Sequence, residues 1–308
     1  MLLVDYPVIF QIETTSFCNL RCIMCPYPIM VDKNLRAREH MNMDLFTLIM
    51  DRDLRPQTPL GLHIMSEPFL NRNIAKMVKL VADKGVAPEF STNGTVITEK
   101  NAYDVMEAGL SKIFFSMDGV DKETYEKIRV NANYEKVIAN FKLFLDVKNK
   151  HGFKTHVIAQ MIEQPEQIGS KDTFTEMWSI PGVDTISYKF LDSWAGTLFQ
   201  DTIKQPEIER HACAEPFERV AILVNGDVVA CCRDWAGLYI YGNLKEQSLY
   251  EIWHGEKVNA LRQEHLSGDY VSEPCLSCKE WHIPMNRDVS FIEENSITSD
   301  FKGVKWLD

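Results

Sequence analysis

Three cysteines stand close together at Cys18, Cys22 and Cys25, a C-x3-C-x2-C run. With eight cysteines in 308 residues, two more at fixed offsets from any one of them arise by chance with a probability of about 0.0007. Three thiolates from one loop can each ligate one iron of a four-iron cluster, leaving the fourth iron open to an outside ligand. The other five cysteines, Cys213, Cys231, Cys232, Cys275 and Cys278, form a second group. A secreted disulfide scaffold would be smaller and would spread its cysteines evenly. Tight groups in a reducing compartment point to metal ligation instead.

The elements that must position these residues alternate. Short apolar runs at 8–12, 60–65, 86–91, 113–117, 155–162 and 183–191 read as strands. Helical stripes lie between them. Ile74, Met77, Val78 and Val81 form one, Ala102, Val105, Met106 and Gly109 another, and Val137, Ile138, Phe141, Phe144 and Leu145 a third. Gly85, Gly109 and Gly152 sit where left-handed helix caps are wanted. Six strands alternating with helices predict parallel βα units, in an open doubly wound sheet or a partial barrel. In both, ligands bind at the carboxyl ends of the strands, which is where the chemistry-bearing residues fall. Beyond about Gln200 the pattern changes. A hairpin is predicted over 221–231, turning at Asn225-Gly226-Asp227, and a helix over 248–266. The division expected is 1–205 for the barrel, 206–285 for a small second domain and 286–308 for a polar tail without clear pattern.

The chain resembles the radical S-adenosylmethionine superfamily in the three-cysteine spacing and in landmarks that follow in order. Ile64-Met65-Ser66-Glu67-Pro68 is similar to that superfamily's Gly-Gly-Glu-Pro segment, with Met65 and Ser66 replacing the glycines. Ser91-Thr92-Asn93-Gly94 and Ser116-Met117-Asp118-Gly119 resemble its strand-end segments. The resemblance implies a partial (β/α)6 TIM-like barrel that holds a [4Fe-4S] cluster through Cys18, Cys22 and Cys25. It places Ser66, Glu67 and Pro68 at the α-ammonium group of S-adenosylmethionine. Ser91, Asn93, Ser116 and Asp118 would then lie near its ribose and carboxylate. Met24 takes a position where the superfamily carries an aromatic residue near the adenine, and methionine substitutes as an adaptable apolar side chain. The implied chemistry is reductive cleavage to a 5′-deoxyadenosyl radical that abstracts a substrate hydrogen, supported by a flavodoxin or ferredoxin-type reductant.

Cys213-x12-Gly226-x4-Cys231, followed by Cys275-x2-Cys278, resembles the opening of a SPASM domain. No cysteine follows Cys278, so the resemblance is to the truncated twitch version, with one auxiliary [4Fe-4S] cluster on Cys213, Cys231, Cys275 and Cys278. Four cysteines also suit tetrahedral zinc, as in a non-catalytic zinc-binding or cysteine-rich module. Cys232 is left over. On a strand it points away from Cys231, either as a small buried hydrophobe or as a thiol returning a hydrogen atom to a substrate radical.

Twitch-bearing relatives imply a small polyhydroxylated substrate, sugar- or aminocyclitol-like, and a dehydrogenation. That reaction needs a base, and Lys189, Arg233 and Asp234 are the candidates. An epimerase using Cys232 is the alternative, with a peptide-modifying maturase third. The first strand begins about ten residues from Met1, where no leader-binding domain is expected. Gln160, Glu163, Tyr188 and Asp192 are weaker polar candidates. His63 and His156 read as core residues, and Trp194, Trp235 and Trp253 as packing. The net charge of −11 with no Lys/Arg run argues against nucleic acid. Apolar runs are too short to span a membrane. The N-terminus lacks a basic region and a cleavage site, so a cytoplasmic protein is expected.

Overall fold

The computed structural model describes residues 4–57, 59–199, 201, 203 and 207–282, and the backbone of 289–292. Six parallel strands form its centre: β1 (Val8–Ile12), β2 (Leu60–Gly61), β3 (Pro88–Thr92), β4 (Lys112–Ser116), β5 (His156–Glu163) and β6 (Thr185–Phe190). They stand side by side in sequence order. Helices α1 (Tyr27–Asp32), α2 (Met43–Leu48), α3 (Ile74–Asp83), α4 (Glu99–Glu107), α5 (Lys122–Ile128), α6 (Tyr134–His151) and α7 (Lys171–Trp178) make the crossovers. This is the parallel α/β architecture of a partial, TIM-like barrel.

Period-two alternation divides each strand. Ile113 and Phe115 of β4 are fully buried in the main core, where Phe115 stacks on Phe141 of α6 at 4.2 Å. The intervening Phe114 and Ser116 point the other way, into the lumen. On β5 and β6 the same rule sends Gln160 and Ser187 inward, and Gln160 Nε2 donates to Ser187 Oγ at 3.0 Å. The helical stripes bury as their spacing predicts: Ile74, Met77, Val78 and Val81 on α3, and Ala102, Val105 and Met106 on α4. Thr98 and Asn101 form a capping box at the start of α4. Gly85, Gly109 and Gly152 all carry positive φ.

The C-terminal third contains α8 (Glu215–Glu218), β7 (Arg219–Ile222), β8 (Asp227–Val229), β9 (Gly242–Asn243), α9 (Leu249–Trp253) and α10 (Glu256–Ser267). The hairpin is β7–β8, with Gly226 at φ +94 in its turn. Its first strand pairs parallel to β1, so one sheet runs through both parts of the chain. The dock is further held by Asp53, which accepts from Leu249 N at 3.0 Å, and by Arg52, which donates to the Leu244 carbonyl at 2.7 Å.

Three elements differ from the sequence expectation. The run at 60–65 pairs as a strand only over Leu60–Gly61, because the chain then leaves the sheet and enters a 3-10 turn, Pro68–Leu70. The helix expected over 248–266 is two helices, broken where Gly255 takes an extended conformation (ψ 167°). In the tail, β10 (Val289–Ile292) pairs antiparallel with the β6 edge; the rest of 286–308 lies outside the described residues. Among the described residues, no helix is long and apolar enough to cross a membrane.

Candidate active site

The three-cysteine loop leaves β1 and enters α1. It is fixed from outside by backbone bonds to the end of α5: Arg21 N to Val130 O and Ile23 N to Ile128 O, both 3.0 Å. Cys18 N donates to Tyr27 Oη at 3.0 Å. Leu20, Cys22, Met24 and Ile128 bury together, with Cys18 and Cys25 at the edge. Burial pushes the Cys18 thiol up to about 12, and Cys22 and Cys25 are raised for the same reason. Cys22 raises both neighbours further, so the three thiols feel one another. Buried thiols this close do not ionise together without a cation. Iron supplies one, and each thiolate can take a different iron of a cluster. Among the described residues no three His, Cys, Asp or Glu side chains converge on a single-ion site.

The strand-end segments converge on this loop. Glu67 is fully buried, and its carboxylate accepts from Thr92 Oγ1 (2.9 Å), Asn93 N (2.7 Å) and Phe69 N (3.1 Å). Burial raises its pKa to about 7 against the pull of those three donors. Its oxygens therefore strap the end of β2 to the end of β3. Pro68 opens the turn that follows. The Ser66 hydroxyl beside it is buried without a partner, an open polar group of the kind a cofactor would satisfy. Asn93 Nδ2 contacts Cys18 Sγ at 3.8 Å and Asn19 Oδ1 at 3.0 Å. Met24 lies in the apolar wall, and its carbonyl accepts from Trp194 Nε1 at 2.9 Å. Ser116 is half-buried at the end of β4, beside Gln160 in register.

Asp118 does something the sequence did not disclose. Its Oδ1 accepts from Ile162 N at 2.6 Å, and its Oδ2 pairs with Arg129, whose Nη1 reaches Cys22 Sγ at 3.8 Å. Asp118 thereby positions that guanidinium beside the three-cysteine loop. Arg129 was not foreseen, since no local pattern marks an arginine just past a helix as a neighbour of a cysteine 107 residues away.

In the C-terminal part the four expected ligand thiols are all buried enough to have their pKa values raised, and electrostatic coupling links them. Cys213, Cys275 and Cys278 each raise or are raised by another of the set, and Cys231 is raised by Cys275, all after burial as the main cause. Cys232 is buried, and its thiol lies near enough to raise that of Cys231. It packs in an apolar layer with Met65, Trp235 and the edges of Cys18 and Cys25. Arg233 and Asp234, two of the candidate bases, are both buried in polar contacts. Arg233 is 4% exposed and bound to Asp192, with Nε–Oδ2 at 2.8 Å, and a guanidinium does not give up its proton. Asp234 is 1% exposed and accepts from Leu238 N (2.7 Å) and Tyr239 N (2.9 Å), closing a turn.

Lys189 lies on the lumen side of β6, paired through its backbone with the neighbouring strands. Its charge acts on His63, a residue whose strand context marks it as core. His63 Nδ1 accepts from Ser91 N at 3.3 Å, so Nε2 carries the proton. Burial and the Lys189 charge lower its pKa to about 3, which keeps the ring neutral. Strand alternation held the signal: Leu60 and Leu62 face the helices, and His63 is the next residue round. His156 contacts Thr185 Oγ1 at 2.8 Å, and Glu163 is paired with Lys171. Trp253 and Trp235 are buried as packing. A cavity of about 660 Å³ opens at the ends of β5 and β6, between Glu163, Leu191 and Glu280.

Family comparison accounts for this arrangement. Residues 12–168, about half of the chain, match the radical SAM superfamily. The chain belongs to the radical SAM superfamily. Residues 213–279 match the SPASM iron-sulfur cluster-binding domain. This radical SAM enzyme therefore uses S-adenosylmethionine with a [4Fe-4S] cluster and carries an auxiliary cluster; the zinc alternative gives way to iron–sulfur. It is similar to a tungsten-containing aldehyde ferredoxin oxidoreductase cofactor-modifying protein of Pyrococcus furiosus, at 25% identity over 87% of this chain and 86% of that one. It is also similar to an S-adenosyl-L-methionine-dependent 2-deoxy-scyllo-inosamine dehydrogenase of Niallia circulans, at 22% identity over 92% and 96%. Among solved structures, BtrN in complex with AdoMet and 2-DOIA aligns with a TM-score of 0.57 at 20% identity, covering 87% of this chain and 90% of that one. Streptococcus suis SuiB bound to precursor peptide SuiA aligns at 0.60 and 15% identity, covering 91% and 71%. At these identities the two structures establish the fold alone.

Proposed function

We propose that the enzyme abstracts a hydrogen atom from a small polyhydroxylated substrate, sugar- or aminocyclitol-like, and completes a dehydrogenation. Cys18, Cys22 and Cys25 hold the first cluster, and Cys213, Cys231, Cys275 and Cys278, in a unit spanning 206–285, hold the auxiliary one. When bound, S-adenosylmethionine and the first cluster supply a hydrogen-abstracting 5′-deoxyadenosyl radical.

The observation that carries this reading is the polar lumen of the barrel. Ser116, Gln160, Ser187, His63 and Lys189 lie on the lumen side of the strands, beside the apolar Phe114 and Ile158. The polar members offer partners to hydroxyl and amino groups. His63 Nε2–H donates to a substrate oxygen and orients it. Lys189, in its amine form, would take the hydroxyl proton as the base, and the substrate radical would pass the second electron to the auxiliary cluster, leaving the carbonyl. Ser66 and the Glu67 strap orient the cofactor end, and the apolar layer containing Met24 excludes water. The dehydrogenase of Niallia circulans, matched over nearly its full length, supports the substrate class.

Epimerisation is the second reading, favoured by one placement: Cys232 belongs to the apolar cluster against which Cys18 and Cys25 also pack. The test is anaerobic reconstitution with C-deuterated 2-deoxy-scyllo-inosamine, inositols, hexoses and a peptide panel. Deuterium appearing in 5′-deoxyadenosine from a polyol, with a carbonyl product, supports the dehydrogenation. Transfer from peptides only would overturn the substrate class.

A further inference from the structure

We propose that Arg233 is a positioning residue for the auxiliary cluster, a fixed positive charge that raises the reduction potential of the cluster held by its neighbouring cysteines. This rests on the reading that Cys213, Cys231, Cys275 and Cys278 are its ligands.

Arg233 lies two residues beyond Cys231 and is 4% exposed. A guanidinium is taken out of water at a large desolvation cost and is retained only where carboxylates compensate it. Two do so. Asp192, in the loop after β6, binds it through Nε at 2.8 Å and Nη2 at 2.7 Å. Glu280 lies 4.0 Å from Nε. Glu280 is itself 3% exposed; one oxygen accepts from Ser193 N at 2.7 Å, and the other is 3.7 Å from Cys278 Sγ. The network therefore runs from the end of a barrel strand, through a buried cation, to an auxiliary cysteine. The Arg233 charge also favours the thiolate form of Cys213, Cys231 and Cys278.

The consequence is electrostatic. Reduction adds one negative charge to a cluster, and a buried cation close to its ligands stabilises the reduced form. Without Arg233 the same ligands would face Asp192 and Glu280 uncompensated, and reduction would become harder. The clamp also explains why arginine suits this position: its planar fork engages Asp192 through two nitrogens and cannot be neutralised.

The experiment is an anaerobic redox titration followed by electron paramagnetic resonance on the reconstituted protein. The C18A background isolates the auxiliary signal. Arg233→Gln is expected to lower the auxiliary midpoint potential, changing the oxidised-to-reduced ratio at a fixed potential about tenfold, or about 59 mV for one electron. Asp192→Asn, which keeps the side-chain shape and the cation, is expected to raise it. Should Arg233→Gln lose the auxiliary irons, Asp192→Asn decides: an upward shift supports the proposal and an unmoved midpoint overturns it. An unmoved midpoint in Arg233→Gln with four irons retained also overturns it. Absence of any auxiliary signal in the C18A parent would instead refute the ligand assignment.

Discussion

Arg129 joins Asp118 to Cys22: its Nε donates to Asp118 Oδ2 at 2.8 Å while its Nη1 stands 3.8 Å from Cys22 Sγ. The pair is buried, and it ties the end of β4 and the turn after α5 to the three-cysteine loop. Removing one partner of a buried pair leaves an uncompensated charge, at a cost of about 3–5 kcal/mol. Asp118→Asn should therefore lower unfolding free energy by roughly 3 kcal/mol and speed the loss of iron from the first cluster. Anaerobic urea denaturation and timed iron release measure both. A change under about 0.5 kcal/mol with normal iron retention would show the pair to be incidental.

The two cysteine groups should separate by function. Reconstituted wild type should hold about eight irons in two four-iron clusters. Cys18→Ala should retain about four and form no 5′-deoxyadenosine. Cys275→Ala should also retain about four and still cleave S-adenosylmethionine, because its thiol belongs to the other group. Equal loss of cleavage in both variants, with the first cluster intact in Cys275→Ala, would contradict that division.

Cys232 discriminates the two reactions. In a dehydrogenase, Cys232→Ala removes only a small side chain from an apolar layer, and turnover should fall no more than about twofold to threefold, consistent with a modest packing loss. In an epimerase it removes the hydrogen donor. Turnover would then stop, and wild type in D₂O would place solvent deuterium at the inverted carbon. Mass spectrometry of the product reads the outcome directly.

His63 predicts a pH dependence. Burial, and then the Lys189 charge, depress its pKa from an ordinary 6.5 to about 3. The unfolded chain takes up a proton below 6.5 that the folded chain refuses. The stabilising contribution is therefore complete above 6.5 and falls away as pH drops toward 3. Between about pH 7.5 and 5.5, wild type should lose up to about 1.4 kcal/mol that His63→Gln does not. Paired denaturation curves at the two pH values test this, and parallel losses in both proteins would refute it.

Hydrophobic period, glycine placement and cysteine spacing carried much of the architecture. The stripe Ile74, Met77, Val78 and Val81 buries as a helix face because 3.6-residue periodicity is a local property. Cys18, Cys22 and Cys25 were legible for a similar reason: they share one short loop, and spacing along a chain constrains spacing within it. The strand-end segments at Glu67, Asn93 and Asp118 were legible in position and not in use. Their partners (Thr92, Cys18 and Arg129) come from other elements of the chain.

What only the tertiary structure decided concerns residues far apart in the chain. Alternation marks β7 as a strand, yet nothing local says that it pairs with β1 and continues the barrel sheet. The same holds for Arg233, whose partner Asp192 is 41 residues distant, and for His63, on which the Lys189 charge acts. By itself the sequence determined which side chains share a helix face, a strand side or a loop, since those follow from backbone geometry over a few residues. Which loops meet depends on strand order and on the packing of the whole core. The ion pairs of Arg233 and Asp118 were therefore decided only on folding, where burial obliges each charge to find its opposite.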